Sequence, residues 1–203
     1  MFAQTPAPAP SLMNPASLKA QAPDKFKAKF TTTKGDFVIE VTRAWAPRGA
    51  DRFYNLVKNG FYNDCSFFRY VPGFIVQFGI PADPKITQAW QSANIQDDPM
   101  KHSNTAGTVV FANGGANTRT TQLFINLADT SSQLDAPRSV GFSPFGEVVQ
   151  GMDVVKGLYS GYGELSDMGG RGPSQGPIQM QGKPYLDKNF PKLDSIKSAT
   201  VLP

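Results

Sequence analysis

The run Phe67-Phe68-Arg69-Tyr70-Val71-Pro72-Gly73-Phe74-Ile75-Val76-Gln77-Phe78-Gly79 sets one cation among apolar side chains. Read as a strand, it puts Arg69 on the same face as Phe67 and Val71. A guanidinium there is costly unless it is hydrogen-bonded or faces a cleft. Beyond the Pro72-Gly73 turn, Phe74 adds an aromatic wall and Gln77 an amide. A second segment, Phe111-Ala112-Asn113-Gly114-Gly115-Ala116-Asn117-Thr118, leads into Thr121-Gln122-Leu123-Phe124-Ile125. These residue types permit hydrogen bonding and electrostatic stabilisation beside an apolar pocket. Taken singly, Arg69 reads equally well as half of a surface ion pair, Phe74 and Phe124 as core, and Gln77 and Asn113 as loop residues with satisfied amides.

Nucleophilic catalysis fits the chain poorly. A Ser-His-Asp or Cys-His arrangement needs a histidine, and the chain has one, His102, in the loop-like Lys101-His102-Ser103. The single cysteine, Cys65, excludes an intrachain disulfide and a Cys-cluster metal site. It reads as a small buried residue. The glycine-rich stretch 113–121 lacks the Gly-Lys-Ser/Thr ending of a phosphate loop. GGRGPSQG runs into Pro177 with no helix to offer a positive N-terminus. Both read as loops.

The elements that must position Arg69 and its neighbours follow from periodicity. Phe26, Ala28 and Phe30 alternate with polar residues, Lys34-Gly35-Asp36 turns the chain, and Phe37, Ile39 and Val41 alternate again, a β-hairpin pattern. Pro47 opens a helix, with Ala50, Phe53, Tyr54, Leu56 and Val57 at spacings of three and four and Gly60 as its stop. Strands are expected at 67–71, 74–79, 107–112, 121–127, 143–149 and 193–201. A second helix is expected at 151–159, from Met152, Val155 and Leu158. Residues 80–106 read as a long loop, and 160–184 as a Gly/Pro-rich excursion. Short strands with two separated helices point to a closed antiparallel barrel whose open ends the helices cover.

Composition agrees with one such domain. The chain has 203 residues, 19 Gly, 17 Pro and 15 Phe, many turns and aromatic core residues. Residues 1–25 carry five prolines and little apolar periodicity, and read as a flexible tail before a domain spanning 26–203. Net charge is +4, but the basic residues are scattered. The densest group, Lys25, Lys27 and Lys29, alternates with apolar residues as one solvated strand face does, so no nucleic-acid partner is expected. No apolar run is long enough for a membrane helix. Phe2-Ala3-Gln4 followed by TPAPAP looks like the start of a mature exported protein, which favours a periplasmic or secreted location.

Together, FFRYVPGFIVQFG and FANGGANTRTTQLFINL resemble the two signature segments of the cyclophilin-type peptidyl-prolyl cis-trans isomerases. LDAPRSVGFSPFGEVVQGMDVV resembles the family's third segment, and the likeness runs from about residue 26 to 160 in the right order. The stretch GYGE…GRGPSQGPIQ…YLDKNFPKLDSI is similar to tails on some bacterial-type members. The resemblance implies a mostly-β fold, an eight-stranded closed barrel capped by two α-helices. It implies rotation of X–Pro bonds as the activity, on proline-containing peptides and unfolded or folding protein clients, by a monomer with no metal or cofactor.

By the same resemblance, Arg69 holds the catalytic position, with Gln77 orienting it or holding the substrate carbonyl. Phe74, Ile75, Ala112, Asn113, Gln122, Phe124 and Leu134 match positions lining the groove. Two positions depart from the family pattern. Gln133 stands where Trp is frequent, which bears on cyclosporin binding, and Phe142 stands where the groove histidine is found, after a short insertion. Those departures keep a second reading open, a proline-peptide-binding module with little catalysis on the same fold. A third is an unrelated barrel with an interior cavity for a small apolar ligand.

Overall fold

The computed structural model describes residues 10–135 and 141–203. Eight strands form one antiparallel sheet: β1 (Lys25–Thr32), β2 (Asp36–Thr42), β3 (Arg69–Val71), β4 (Ile75–Phe78), β5 (Thr108–Phe111), β6 (Leu123–Asn126), β7 (Gly146–Gln150) and β8 (Ile196–Val201). Their order across the sheet is β3-β4-β6-β5-β7-β2-β1-β8. The expected hairpin is β1–β2, with Phe26 opposite Val41 and Phe30 opposite Phe37.

The ladder does not close as expected. β3 and β8 are its two free ends. What spans the gap is the isolated bridge Ser66–Ser195, with the Phe67 N–H donating to the Asp194 carbonyl at 3.0 Å. At β3 the Tyr70 N–H donates to the Gly163 carbonyl at 3.3 Å, so the chain near residue 163 takes the side on which β8 would have to pair.

Side chains alternate across the sheet with the period of two that strands impose. Val76 and Phe78 of β4, Leu123 and Ile125 of β6, and Val109 and Phe111 of β5 point into the main core. That core is a stack of rings. Phe30 lies parallel to Phe37 with centroids 5.0 Å apart, and Phe53 packs on Phe145 at 5.0 Å. Phe30, Phe37, Phe53, Phe67, Phe78 and Phe111, all fully buried, pack the sheet interior where the apolar-ligand reading requires a cavity. Phe67 belongs to this core rather than to the face of Arg69, because the strand begins only at Arg69.

The helices are α1 (Pro47–Lys58), α2 (Pro84–Trp90), α3 (Ser131–Leu134), α4 (Met152–Lys156), α5 (Gln175–Gln181) and α6 (Lys183–Asn189). The first and fourth answer to the two expected; the others fall in stretches read as loop or lying between strands. α1 has Pro47 in its first turn, and the carboxylate of Asp98 accepts from the N–H groups of Arg48 at 3.0 Å and Gly49 at 2.9 Å. A distant side chain thus satisfies donors that a helix start leaves orphaned. α2 starts on Asp83, whose carboxylate accepts from the Lys85 N–H, followed by Pro84. Aspartate then proline is a strong helix start. Ile86, Thr87 and Trp90 are its buried side.

α5 and α6 meet at Gly182, which has φ +67° and sits so close to Ala82 that a Cβ would lie 2.1 Å from that carbonyl oxygen. They build a second apolar cluster of Phe68, Ile80, Leu165, Ile178 and Leu186 on the outer side of the β3–β4 hairpin. The chain after α4 is therefore packed on Phe68 and Ile80, which flank the strands that carry Arg69 and Gln77.

Residues 10–24 are also packed, unlike a free tail. Leu12 and Ala22 are buried in the main core, and the indole N–H of Trp90 donates to the Leu12 carbonyl at 2.8 Å. The Asn55 amide bridges to both N–H and carbonyl of Ala20. Leu12→Ala should lower stability by about 2 kcal/mol, the lower end for a buried leucine. Urea unfolding checks it: an unchanged midpoint would mean that the segment is not docked.

Candidate functional site

Registers in three adjoining ladders place the site. Arg69 of β3 is opposite Gln77 of β4, Gln77 is opposite Phe124 of β6, and Phe124 is opposite Val110 of β5. Residues opposite one another share a face, so this row lies on the side away from the ring core. Ile75, Val110, Phe124 and Leu134 form a small apolar cluster there, with Phe74, Ala112 and Phe142 against it.

These residues surround a cavity of about 310 Å³, lined by Arg69, Phe74, Ile75, Gln77, Ala112, Asn113, Phe124, Leu134, Phe142, Met168 and Gln175. Gln122 lines an adjoining cavity of about 190 Å³ that shares Gln77, Ala112, Asn113 and Gln175. Every residue assigned to the groove from the sequence thus lines one of these two adjoining cavities. Phe142 stands on the wall, edge-on to Phe124 with centroids 5.8 Å apart, and leaves the pocket open. Five residues of the preceding insertion, 136–140, lie outside the described residues.

Hydrogen bonds fix the polar side of the cavity. Arg69 Nη1 donates to Gln77 Oε1 at 2.9 Å, Gln77 Nε2 donates to Gln122 Oε1 at 2.8 Å, and Gln122 Nε2 donates to Gln175 Oε1 at 2.9 Å. On its other edge Arg69 makes a bidentate pair with Glu164, Nε to Oε1 at 2.6 Å and Nη2 to Oε2 at 2.7 Å. Burial pushes the Glu164 carboxyl up, but hydrogen bonds from Arg69 and the Leu165 N–H, with the charge of Arg69, outweigh it and hold the group below its ordinary value.

Glu164, Met168 and Gln175 are the lining or contacting residues that pattern reading missed. All three belong to the Gly/Pro-rich excursion, where no period marks a face. Close approach of backbone gives the glycines their role: a Cβ on Gly170 would lie 2.1 Å from the Glu164 carbonyl oxygen.

The chain between residues 27 and 180 matches the model of the family described as cyclophilin type peptidyl-prolyl cis-trans isomerase/CLD. This chain is a cyclophilin-type isomerase family member. Among relatives, the peptidyl-prolyl cis-trans isomerase of Acinetobacter baylyi is 32% identical over 140 residues, 68% of this chain and 74% of the relative. The peptidyl-prolyl cis-trans isomerase-like 1 of Aspergillus oryzae is 35% identical over 144 residues, 66% of this chain and 84% of the relative. The crystal structure of a cyclophilin-type isomerase from Cryptosporidium parvum superposes with TM-score 0.62 at 18% identity, covering 88% of this chain and 98% of that one. The cyclophilin fold here is the eight-stranded antiparallel sheet with helices.

Asn104 holds the far wall of this cyclophilin groove. Its buried amide nitrogen donates to Asp135 Oδ1 at 2.7 Å and the Phe142 carbonyl at 3.0 Å, and its oxygen accepts from Asn126 at 3.1 Å. One side chain thereby ties α3, which carries Leu134, to the segment that carries Phe142. Asn104→Ala should cost about 2 kcal/mol, since it leaves buried polar groups short of partners. An unchanged unfolding midpoint would show that the tie holds nothing.

Proposed function

We propose that this cyclophilin-type peptidyl-prolyl isomerase rotates X–Pro bonds by fixing the Arg69 guanidinium where the prolyl nitrogen develops a lone pair. Rotation breaks amide resonance against a barrier of about 18–20 kcal/mol and takes roughly tens to hundreds of seconds unaided. In the planar amide the nitrogen lone pair is delocalised and accepts almost no hydrogen bond. In the twisted state the nitrogen is pyramidal and becomes an acceptor. A donor held in place therefore favours the transition state over either isomer, and each tenfold of rate requires about 1.4 kcal/mol of that preference. No proton is transferred and no nucleophile attacks, so the scarcity of histidine is no obstacle.

What supports the reading is the position of Arg69. Its side chain is 12% exposed on the wall of a pocket whose apolar lining includes Phe74, Ile75, Phe124, Leu134 and Phe142. Those side chains form a dry seat for the pyrrolidine ring, and low polarity strengthens the contact at the nitrogen. Gln77 orients Arg69, with Gln122 orienting Gln77 in turn. The backbone at Ala112 and Asn113, where β5 ends, anchors the peptide on either side of the proline as an added extended segment. Substrates are proline-containing peptides and protein clients that are unfolded or still folding. The chain acts as a monomer, with the docked segment 10–24 and the domain that follows it as one catalytic unit.

Arg69→Ala should lower turnover of an X–Pro peptide by well over tenfold while peptide affinity stays within a few-fold. Arg69→Lys should not restore it, because an ammonium on a flexible stem cannot hold one donor forward while others are tethered. A protease-coupled assay and a peptide titration measure the two quantities. Near-normal turnover in the alanine variant would sink the assignment; lost turnover together with lost binding would point to a role in binding alone.

A further inference from the structure

Glu164 lies outside the signature segments, in the excursion between α4 and α5, yet it touches the group on which catalysis depends. We infer that Glu164 is a positioning residue for Arg69, and that the glycine-rich extension of the chain past α4 that carries it is a working part of the site. The inference rests on the reading of Arg69 given above.

A guanidinium has five N–H donors in a planar fork. Glu164 takes the Nε–H and one Nη2–H, and Gln77 takes one Nη1–H. One N–H on each terminal nitrogen is left over. Restrained along both edges, the side chain loses its rotamer freedom before substrate arrives rather than during reaction. A carboxylate next to the cation also damps its field, which works against catalysis. Part of that charge is already committed, because Glu164 Oε1 accepts from the Leu165 N–H at 2.7 Å as well. Orientation is thus the effect we expect to dominate.

Glu164 is itself firmly mounted. The Gly163 carbonyl accepts from the Tyr70 N–H at 3.3 Å, which ties the segment to the edge of β3 one residue from Arg69. The Glu164 carbonyl accepts from the Gly172 N–H at 2.7 Å, and Leu165 is buried between Phe68, Ile80, Ile178 and Leu186. This apolar cluster, not the ion pair, anchors the extension. Removing the carboxylate should therefore leave the fold in place. The register of β3 with β4 would be unaffected for the same reason.

The test measures kcat, KM and peptide affinity for Glu164→Ala, Glu164→Gln, Arg69→Ala and the Arg69→Ala/Glu164→Ala double variant, with circular dichroism as the check on folding. Glu164→Ala should lower kcat about tenfold, equivalent to about 1.4 kcal/mol of barrier, with affinity within twofold. Glu164→Gln should fall between it and the parent, since an amide oxygen still accepts one N–H. The double variant should be no slower than Arg69→Ala. Parental or faster turnover in Glu164→Ala, or an equal loss when Arg69 is already absent, would overturn the inference. If Glu164→Ala folds poorly, Glu164→Gln decides alone: an unchanged kcat in that isosteric variant would overturn the inference, and a lowered one with affinity kept would support it. Should Arg69→Ala keep its turnover, the reading of Arg69 fails first, and this inference with it.

Discussion

A hydrogen-bond donor stabilises a pyramidal nitrogen only while it waits at the spot where that nitrogen will appear, and a long cationic side chain does not wait anywhere unaided. Three of the five N–H groups of Arg69 are bonded, one to Gln77 and two to Glu164, so the guanidinium is held along two edges. Much of the surrounding architecture serves that restraint. The β3–β4 register sets Gln77 opposite Arg69, the β4–β6 register sets Phe124 next in the row, and the Gln122–Gln175 link fixes which way the Gln77 amide points.

Period-two alternation lets one sheet do two jobs. Val76, Phe78, Leu123 and Ile125 face a ring-filled core that stabilises the domain, while Ile75, Gln77 and Phe124 line the cavity on the other face. A one-residue slip in β4 would exchange the two sets. The turn after Val71 and the buried rings guard against it. On the outer side, the cluster of Phe68, Ile80, Leu165, Ile178 and Leu186 seats the extension beside the same hairpin. That is why a segment far along the chain delivers a carboxylate to Arg69.

Alternation and turn residues made the strands readable, and the three segments that resemble the family named residues that the structure gathers around two adjoining cavities. What escaped pattern reading did so for physical reasons. The Asp83-Pro84 start of α2 was available, but a seven-residue helix with three buried residues shows too little periodicity to stand out. Ladder closure fails where the Tyr70 N–H meets the Gly163 carbonyl instead of β8, a long-range contact that no local pattern encodes. Docking of residues 10–24 turns on Leu12, Ala22 and backbone groups met by Trp90 and Asn55, too few apolar residues to show a period. Glu164 sits amid glycines whose meaning is close packing of backbone, visible only once the chain is folded.

The central claim is that Gln77 acts on the reaction through Arg69 rather than on the substrate by itself. A double-mutant cycle of Arg69→Ala and Gln77→Ala, with catalysed exchange of an X–Pro peptide followed by NMR, tests it most directly. Residues acting as one unit give non-additive effects, with interaction energies of about 0.5–3 kcal/mol. The account predicts that Gln77→Ala slows the parent enzyme severalfold and adds little once Arg69 is alanine. Equal slowing in both backgrounds would contradict it, and would make Gln77 an independent contact to the peptide.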